Sequence, residues 1–369
     1  MRIHVNPKEV LRGLQMAKRA VADRYITPML QNVKMTAEKS GAFLTATNTE
    51  LSIQVRLPCR VVQKGMALLP VTRLEKMLKL AKDESVTLES TATGIALVAT
   101  GKRAELVVEH DPADFPVMVE FPSRGYFTVG APELREAIRQ TSFAMAKNDY
   151  GKYSFTGVCF SSLGAKTLDV VATNGRRLAW QQVDMSAKRP SIRESIVPAP
   201  AVALLSKMLA DSAGDVGVCL VAFDGKRKSV MFQNGDITLF SRLTSGEFPA
   251  WREIVQDGCE KQSVQLLSGD LLSALRRASI CTSLNKPAVR LAFTGDRLIV
   301  ESGFSVTVHG VGERFHTDAV VESGSARITI PVTMSFNHRR RVSQCRNRQR
   351  LLASRSRLAS RKRKCRQKT

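Results

Sequence analysis

Three stretches of the chain repeat one pattern of apolar and polar positions, a short apolar run followed by an amphipathic helix. They read IHVNPKEVLRGLQMAKRA from Ile3, FTVGAPELREAIRQTSFA from Phe127 and VQLLSGDLLSALRRASIC from Val264. In each helical part, apolar or small residues recur at i, i+4 and i+7, which places them on one face at 3.6 residues per turn. The three sets are Val10, Leu14, Ala17; Leu134, Ile138, Thr141; and Leu271, Leu275, Ala278, so successive copies lie 124 and 137 residues apart.

Other features recur in the same order. Ala46-Thr47-Asn48 returns as Ala172-Thr173-Asn174, a second helix follows Pro70 and again Pro198, and Phe115-Pro116 returns as Phe248-Pro249. Between the helices, alternating stretches such as FLTATNTELSIQVRL and ITLFSRL read as half-buried strands bounded by Gly, Asn or Asp. Ordered recurrence at nearly constant spacing indicates duplication. The expected fold is α+β: three tandem copies, each with two helices packed on antiparallel sheets, over residues 1–124, 125–262 and 263–337. The third copy has its first helix and the strands VRLAFTGDRLIVES and ARITIPVTMSFN, but Phe336-Asn337 falls where its second helix should begin. Residues 338–369 hold few apolar side chains, so an incomplete third copy followed by a disordered tail is expected.

Composition refines this picture. The chain is 43% hydrophobic but 6% aromatic, so its cores should be aliphatic. No run of 18 apolar residues and no signal-peptide core is present, which predicts a cytoplasmic protein. The seven cysteines and five histidines are scattered without ligand spacing, so neither a metal, a disulfide nor a cofactor is expected. The net charge of +23 divides unevenly: residues 338–369 hold 14 of the 56 basic residues and no acid, leaving 42 basic against 33 acidic residues elsewhere. Both parts point to a polyanionic partner. Nucleotide loops of the GxxxxGK[ST] and GxGxxG types and the GxSxG nucleophile turn are absent, and Asp111 and Asp114 in HDPADFP read as caps of a turn rather than paired catalytic carboxylates. No catalytic residues are assigned.

The stretch YSFTGVCFSSLGAKTLDVVATNGRRLAW at 153–180 resembles the "Y-x-L-N-G-V-x-F … A-T-D-G-H-R-L-A" pattern of the bacterial DNA polymerase III beta clamps. SRLTSGEFPAWREIV at 241–255 is similar to that family's "S-R-L-x-x-G-x-F-P-x-Y". TPMLQNV at 27–33, ALRRAS at 274–279 and VRLAF at 289–293 fit in order, so the resemblance covers residues 1–337. Asn174 stands where the family usually has Asp, Arg176 where it often has His, and Trp251 in place of Tyr. The Glu-rich "E-A-x-E" strand and the closing "Y-x-x-M-P-M-R-L" strand have no counterpart. A reading-frame shift after about Asn337 would explain the abrupt change at preserved length; a natural DNA-binding tail is the other reading.

The resemblance implies three tandem DNA-clamp domains, two subunits of which close head-to-tail around duplex DNA with helices lining the hole. It also implies a non-catalytic processivity factor working with the DNA polymerase III catalytic subunit, an ATP-dependent clamp loader and other proteins carrying clamp-binding motifs. Candidate DNA-facing residues on the predicted helices are Arg12, Lys18, Arg73, Lys76, Lys79, Arg135, Arg139, Lys207, Arg276 and Arg277. Arg24 and Tyr153 match family positions for DNA contact at the ring edge, with Asn148 near a third. The implied partner-peptide groove comprises Phe155, Thr173, Gly175, Arg176, Arg177, Leu178, Pro249 and Ile254, half-built if the closing strand is missing. The implied homodimer interface joins domains one and three near Leu106, Val108, Ile280 and Cys281, with Arg103 at its rim; an incomplete third domain predicts a weak dimer. The different-class reading is a basic non-clamp nucleic-acid-binding protein acting through residues 338–369, or a non-functional truncated clamp.

Overall fold

The first strand and helix show how sequence sets each boundary. Strand β1 (Arg2–Val5) ends at Asn6, whose side chain accepts a hydrogen bond from Lys8 N at 2.9 Å, and Pro7 opens helix α1 (Pro7–Ala17). An Asn cap followed by Pro at the first helical position satisfies one orphan amide and removes another. In this computed structural model the backbone is described for residues 1–22, 27–99, 101–148, 154–163, 166–186, 192–223, 227–257, 263–265, 267–282, 288–294 and 297–302, and for strand residues 308–309, 314–315, 326–331 and 333–335. Backbone packing divides the chain into one unit of Met1–Trp251 and another of Arg252–Thr369.

In the first unit, α1 is followed by β2 (Val33–Glu38), β3 (Gly41–Thr47), β4 (Leu51–Leu57), β5 (Cys59–Gln63) and β6 (Gly65–Leu69). Helix α2 (Val71–Leu80) then leads into β7 (Val86–Thr91), β8 (Gly94–Ala99) and β9 (Lys102–Val107). The order then repeats. It runs β10 (Phe127–Gly130), α3 (Ala131–Thr141), β11 (Gly157–Ser162), β12 (Thr167–Thr173), β13 (Leu178–Asp184) and β14 (Ile192–Pro198). Helix α4 (Ala199–Met208), β15 (Asp215–Phe223), β16 (Arg227–Asn234) and β17 (Ile237–Arg242) complete it, and α5 (Trp251–Asp257) follows. Asp111, read from sequence as a turn cap, accepts from Ala113 N at 2.8 Å ahead of buried Phe115.

Every described ladder is antiparallel. One five-stranded sheet runs β5-β1-β7-β8-β9 and one four-stranded sheet runs β13-β12-β11-β14. The third crosses the repeat boundary: β10-β15-β16-β17 continues into β4-β3-β2-β6 as eight strands. The seam is the pairing of β17 with β4, where Ile237 faces Val55, Leu239 faces Ile53 and Ser241 faces Leu51. Ion pairs close both ends, Arg242 to Glu50 at 3.0 Å and Arg56 to Asp236 at 3.6 Å. Leu239 and Ile53 are fully buried in a core cluster that also holds Leu14, Leu44, Leu134 and Val202. Each such side chain contributes roughly 1.5–3 kcal/mol by leaving water. Gly13 lets α1 lie close on the sheet, since a Cβ there would sit 2.9 Å from both Leu44 Cδ1 and Leu57 Cδ2.

The second unit carries β18 (Ser263–Gln265), α6 (Ser268–Ile280), β19 (Arg290–Thr294), β20 (Arg297–Ser302), β21 (Val308–His309), β22 (Arg314–Phe315), β23 (Ala326–Pro331) and β24 (Thr333–Ser335). Its sheets are β19-β20-β23, β18-β24 and β21-β22. This connectivity repeats β1 to β5: β19, β20 and β23 pair in the order of β2, β3 and β4, while β24 pairs with β18 as β5 pairs with β1. Among the described residues its core holds Ala274 and Ala278 of α6, packed against Leu298 and Val300. Residues 338–369, expected as a basic tail, lie outside the described residues. Among the described residues, no helix is long and apolar enough to cross a membrane.

Candidate DNA and partner interfaces

The four helices of the first unit form a row in the order α2, α1, α4, α3, through contacts of α1 with α2, α1 with α4 and α3 with α4. Their apolar faces lie on the sheets, and their polar faces are outward. Arg12, Arg73, Lys76, Lys79, Arg135, Arg139 and Lys207 are all exposed. The helices carry eight Lys or Arg against four Glu. Several of these cations are already engaged: Glu75 takes Lys79 at 2.8 Å and Lys18 at 3.2 Å, and these hydrogen bonds hold its carboxyl below the ordinary range. Glu136 accepts from Arg139 Nε at 2.7 Å and from Gln140, and its pKa falls to about 2, mainly through the Arg139 bonds. Arg135 donates to the Ala210 carbonyl at 2.6 Å, and Arg12 lies 3.8 Å from Asp211. Arg73, Lys76 and Lys207 have no ion-pair partner among the described residues. In the second unit Arg276 and Arg277 are exposed on α6. Asn148 is exposed; Arg24 and Tyr153 lie outside the described residues.

The turn joining β12 to β13 gathers most of the residues expected in a peptide groove. Thr173 Oγ1 donates to the Arg177 carbonyl at 2.8 Å and accepts from Gly175 N at 3.1 Å. Asn174 Oδ1 accepts from Arg176 N and Arg177 N at 3.1 and 3.0 Å, so the turn amides are satisfied internally. Gly175 sits at φ +82°, and a Cβ there would lie 3.9 Å from Phe155 Cζ, which places that half-buried ring beneath the turn. Ser154 N donates to the Glu247 carbonyl at 3.0 Å, tying the Phe155 segment to the one bearing Pro249. The Arg177 guanidinium donates to the Phe143 carbonyl and lies 5.5 Å from the centroid of the Phe143 ring. Leu178, Trp180 and Gln182 follow on one face of β13; Trp180 stands 5.4 Å from Trp251 and donates to Asp169 Oδ1 at 3.0 Å. The side chain of Ile254 lies outside the described residues.

Phe143 and Trp180 were not singled out from sequence. Phe143 follows the last turn of α3, where an apolar residue reads as core, yet it is 59% exposed. Trp180 belongs to an alternating strand and reads as an inward residue, yet it is 37% exposed at the sheet margin. The expected subunit contacts divide similarly. β9 is the last strand of its sheet, and Arg103 on it pairs with Glu89 at 2.7 Å and Glu105 at 2.9 Å. Leu106 packs against the repeat's own core and Val108 against the Leu30–Phe115 cluster, whereas Val107 between them is 59% exposed. Ile280 is 83% exposed and Cys281 half-buried at the end of α6.

These features match known proteins closely. Residues 1–119 match the sequence profile of the DNA polymerase III beta subunit, N-terminal domain, and residues 128–250 that of its central domain. The chain belongs to the DNA polymerase III beta-subunit family. The beta sliding clamp of Pseudomonas aeruginosa is 27% identical over 307 residues, spanning 82% of this chain and 80% of that protein. A crystal structure of the Pseudomonas aeruginosa sliding clamp bound to griselimycin is 25% identical, with a TM-score of 0.75 over 91% of this chain and 85% of that one. The sliding clamp of Bacillus subtilis shares the fold at 19% identity and a TM-score of 0.77, over 91% and 85%. The protein is thus a DNA sliding clamp, from a family of non-catalytic processivity factors. Asn174, which departs from the usual clamp Asp, leaves the turn intact because an amide oxygen accepts the same two backbone bonds.

Proposed function

We propose that this clamp encircles duplex DNA with its helix row inward and holds the DNA polymerase III catalytic subunit beside the primer end. The observation that carries the reading is the single layer of four helices, its exposed face basic, backed by a sheet that runs unbroken across two repeats. Phosphate contacts from Arg73, Lys76, Lys207 and their neighbours bind DNA without reading its sequence, so they hold the duplex without fixing a position along it. A closed ring makes escape a matter of opening rather than of losing contacts, and tethering raises the local polymerase concentration. The turn of Thr173 to Leu178, with Phe155 beneath it, is the docking site for disordered peptides with apolar anchors, carried by the polymerase and other clamp-binding proteins. The ring is a homodimer in which β9 of one subunit meets the third repeat of the other near Ile280 and Cys281, a contact that the shortened third repeat keeps weak, and an external ATP-dependent loader opens it.

The decisive experiment compares retention on closed circular and linearised duplex after loading, across a salt series. Contacts alone weaken steeply with salt, each phosphate contributing about −0.9 to the log–log slope. Salt-resistant retention on circles that is lost on linearisation is the expected result. Equal binding to both forms that vanishes when residues 338–369 are deleted would identify a tail-driven nucleic-acid binder instead.

A further inference from the structure

Two hairpin turns of the first repeat stand at the same end of its sheet. Strand β2 pairs Glu38 with Gly41 of β3 and Ala37 with Gly65 of β6, so the Lys39-Ser40 turn lies beside the Lys64 turn that joins β5 to β6. Both turns, with Cys59, Val61 and Val62, line a cleft of about 540 Å³. Pockets for small ligands usually measure roughly 300–1,000 Å³. The apolar floor depends on an irregularity in β5. Arg2 faces Gln63 while Ile3 faces Val61, so Val62 is an extra residue in that edge strand. Successive strand side chains point to opposite faces, and a bulge breaks that alternation. Val61 and Val62 therefore both line the cleft, Val62 with 52% of its surface exposed. Lys39 and Lys64 are exposed, and among the described residues neither has an ion-pair partner. Glu38 is the one carboxylate on either turn. Arg56, already paired with Asp236, lies across the first turn and donates to the Ser40 carbonyl at 2.7 Å. Burial pushes the Cys59 thiol up, against the pull of a backbone hydrogen bond from Ala42 and of the Arg56 charge. No residue of the cleft belongs to the helix row, and β5 is the edge of its sheet opposite β9.

We propose that this cleft binds a small phosphate monoester, with its phosphate between Lys39 and Lys64 and its apolar body on Val61 and Val62. A phosphate monoester carries about −1.5 to −2 charges at neutral pH, which two ammonium groups match, and lysine is a common phosphate ligand. The Ser40 hydroxyl adds a hydrogen-bond donor at the rim. The two lysines converge from separate turns on one cleft, which suits a single dianion better than an extended acidic peptide. Nucleotides and sugar phosphates share the required charge, and the adjacent valines favour whichever carries the more apolar body.

Cys59 lines the cleft and so reports its occupancy. In the full chain, phenyl phosphate should slow alkylation of Cys59 by N-ethylmaleimide in a saturable way, read by peptide mass spectrometry, and leave labelling of Cys281 unchanged. Phenol should give no protection, and inorganic phosphate should need about tenfold more for the same protection, because it leaves the valines uncovered. Lys39→Gln combined with Lys64→Gln should raise the half-protection concentration of phenyl phosphate by about tenfold or more, since each exchange removes a charge-assisted bond. Both lysines are exposed, so the exchange leaves the fold standing. Calorimetric titration of phenyl phosphate should show one site lost in that double variant, a reading independent of the thiol. Thymidine monophosphate and a hexose phosphate in the same titration distinguish the two sources, the nucleotide being expected to bind more tightly. Equal protection by phenol and phenyl phosphate, or equal affinity of the unaltered chain and the double variant, would overturn the proposal. Protection by an oligoglutamate but not by phenyl phosphate would overturn it in favour of an acidic peptide.

Discussion

The turns after Ala46-Thr47-Asn48 and Ala172-Thr173-Asn174 are one design in two settings. In both, the threonine hydroxyl accepts from the amide two residues on, Thr49 N at 3.0 Å and Gly175 N at 3.1 Å. In both, the asparagine oxygen accepts the next two amides, Glu50 N and Leu51 N in one, Arg176 N and Arg177 N in the other. The surroundings then diverge. The first turn is enclosed by the seam: Glu50 pairs with Arg242, and Ser52 is buried against the Thr47 hydroxyl at 2.7 Å. At the second, Arg176 is exposed, Leu178 is half-exposed, and Arg177 reaches out to Phe143. Duplication thus supplied two copies of a turn; strand pairing enclosed one and left the other exposed among the described residues.

The contrast can be broken most forcefully at its seam. Ile53→Ala should cost about 2–5 kcal/mol of unfolding free energy, the range for truncating a fully buried aliphatic side chain. Ala179 faces Ala172 as Ile53 faces Ala46, and Ala179→Ser should change stability by less than about 0.5 kcal/mol. Chemical denaturation of the two variants compares the buried seam position with its half-exposed counterpart. A similar loss in both would break the contrast between the buried and the half-exposed register.

Next in size are the two asparagines. Asn48→Ala and Asn174→Ala should each destabilise by about 1 kcal/mol, since each leaves two turn amides without their acceptor. Only Asn174→Ala should also weaken binding of a fluorescent peptide with apolar anchors, read by anisotropy. Equal loss of peptide affinity from Asn48→Ala would place the groove elsewhere.

The third comparison concerns backbone strain. Thr49 adopts φ +75° and Gly175 φ +82°, a region that costs a side-chain-bearing residue about 1–2 kcal/mol. Thr49→Gly should therefore gain up to about 1 kcal/mol after the added chain entropy, and Gly175→Ala should lose about 1 kcal/mol. Phe155 leaves ordinary van der Waals room at position 175, so the loss would come from the backbone rather than a clash.

The smallest effect lies on the helix row. Glu136 titrates near 2 because Arg139 and Gln140 hydrogen-bond its ionised form. A carboxylate with a lowered pKa contributes stability above its ordinary value near 4.5, and that contribution disappears as pH falls from there to about 2. The group is fully exposed, so the effect on unfolding should be slight and screened by salt. Carboxyl NMR should show Arg139→Gln moving the Glu136 midpoint back toward the ordinary range.

Local pattern made much of this architecture legible. The periodic sets Val10, Leu14, Ala17 and Leu134, Ile138 mark the buried faces of α1 and α3, and Pro70 and Pro198 mark where α2 and α4 begin. The repeated Ala-Thr-Asn marked equivalent turns before any contact was known. What no local pattern encodes is which strand lies beside which. The β17–β4 seam joins residues more than 180 positions apart, and alternation within β9 cannot say which of Leu106 and Val107 faces inward until its sheet is known. Phe143 escaped notice for a related reason, because apolar character signals burial unless a nearby cation holds the ring at the surface.

That long-range seam also bears on how the chain is made. The outer edge of β4 has no partner until residues 237–242 emerge, about 180 residues after β4 is complete. At roughly 5–20 residues per second of synthesis, the interval is about 9–36 s. During that time a newborn first repeat offers a strand edge to any neighbouring chain. Glu50 and Arg56, which later hold Arg242 and Asp236, stand at the two ends of that edge. Before β17 arrives, the same charges act as guards against premature pairing with the wrong strand.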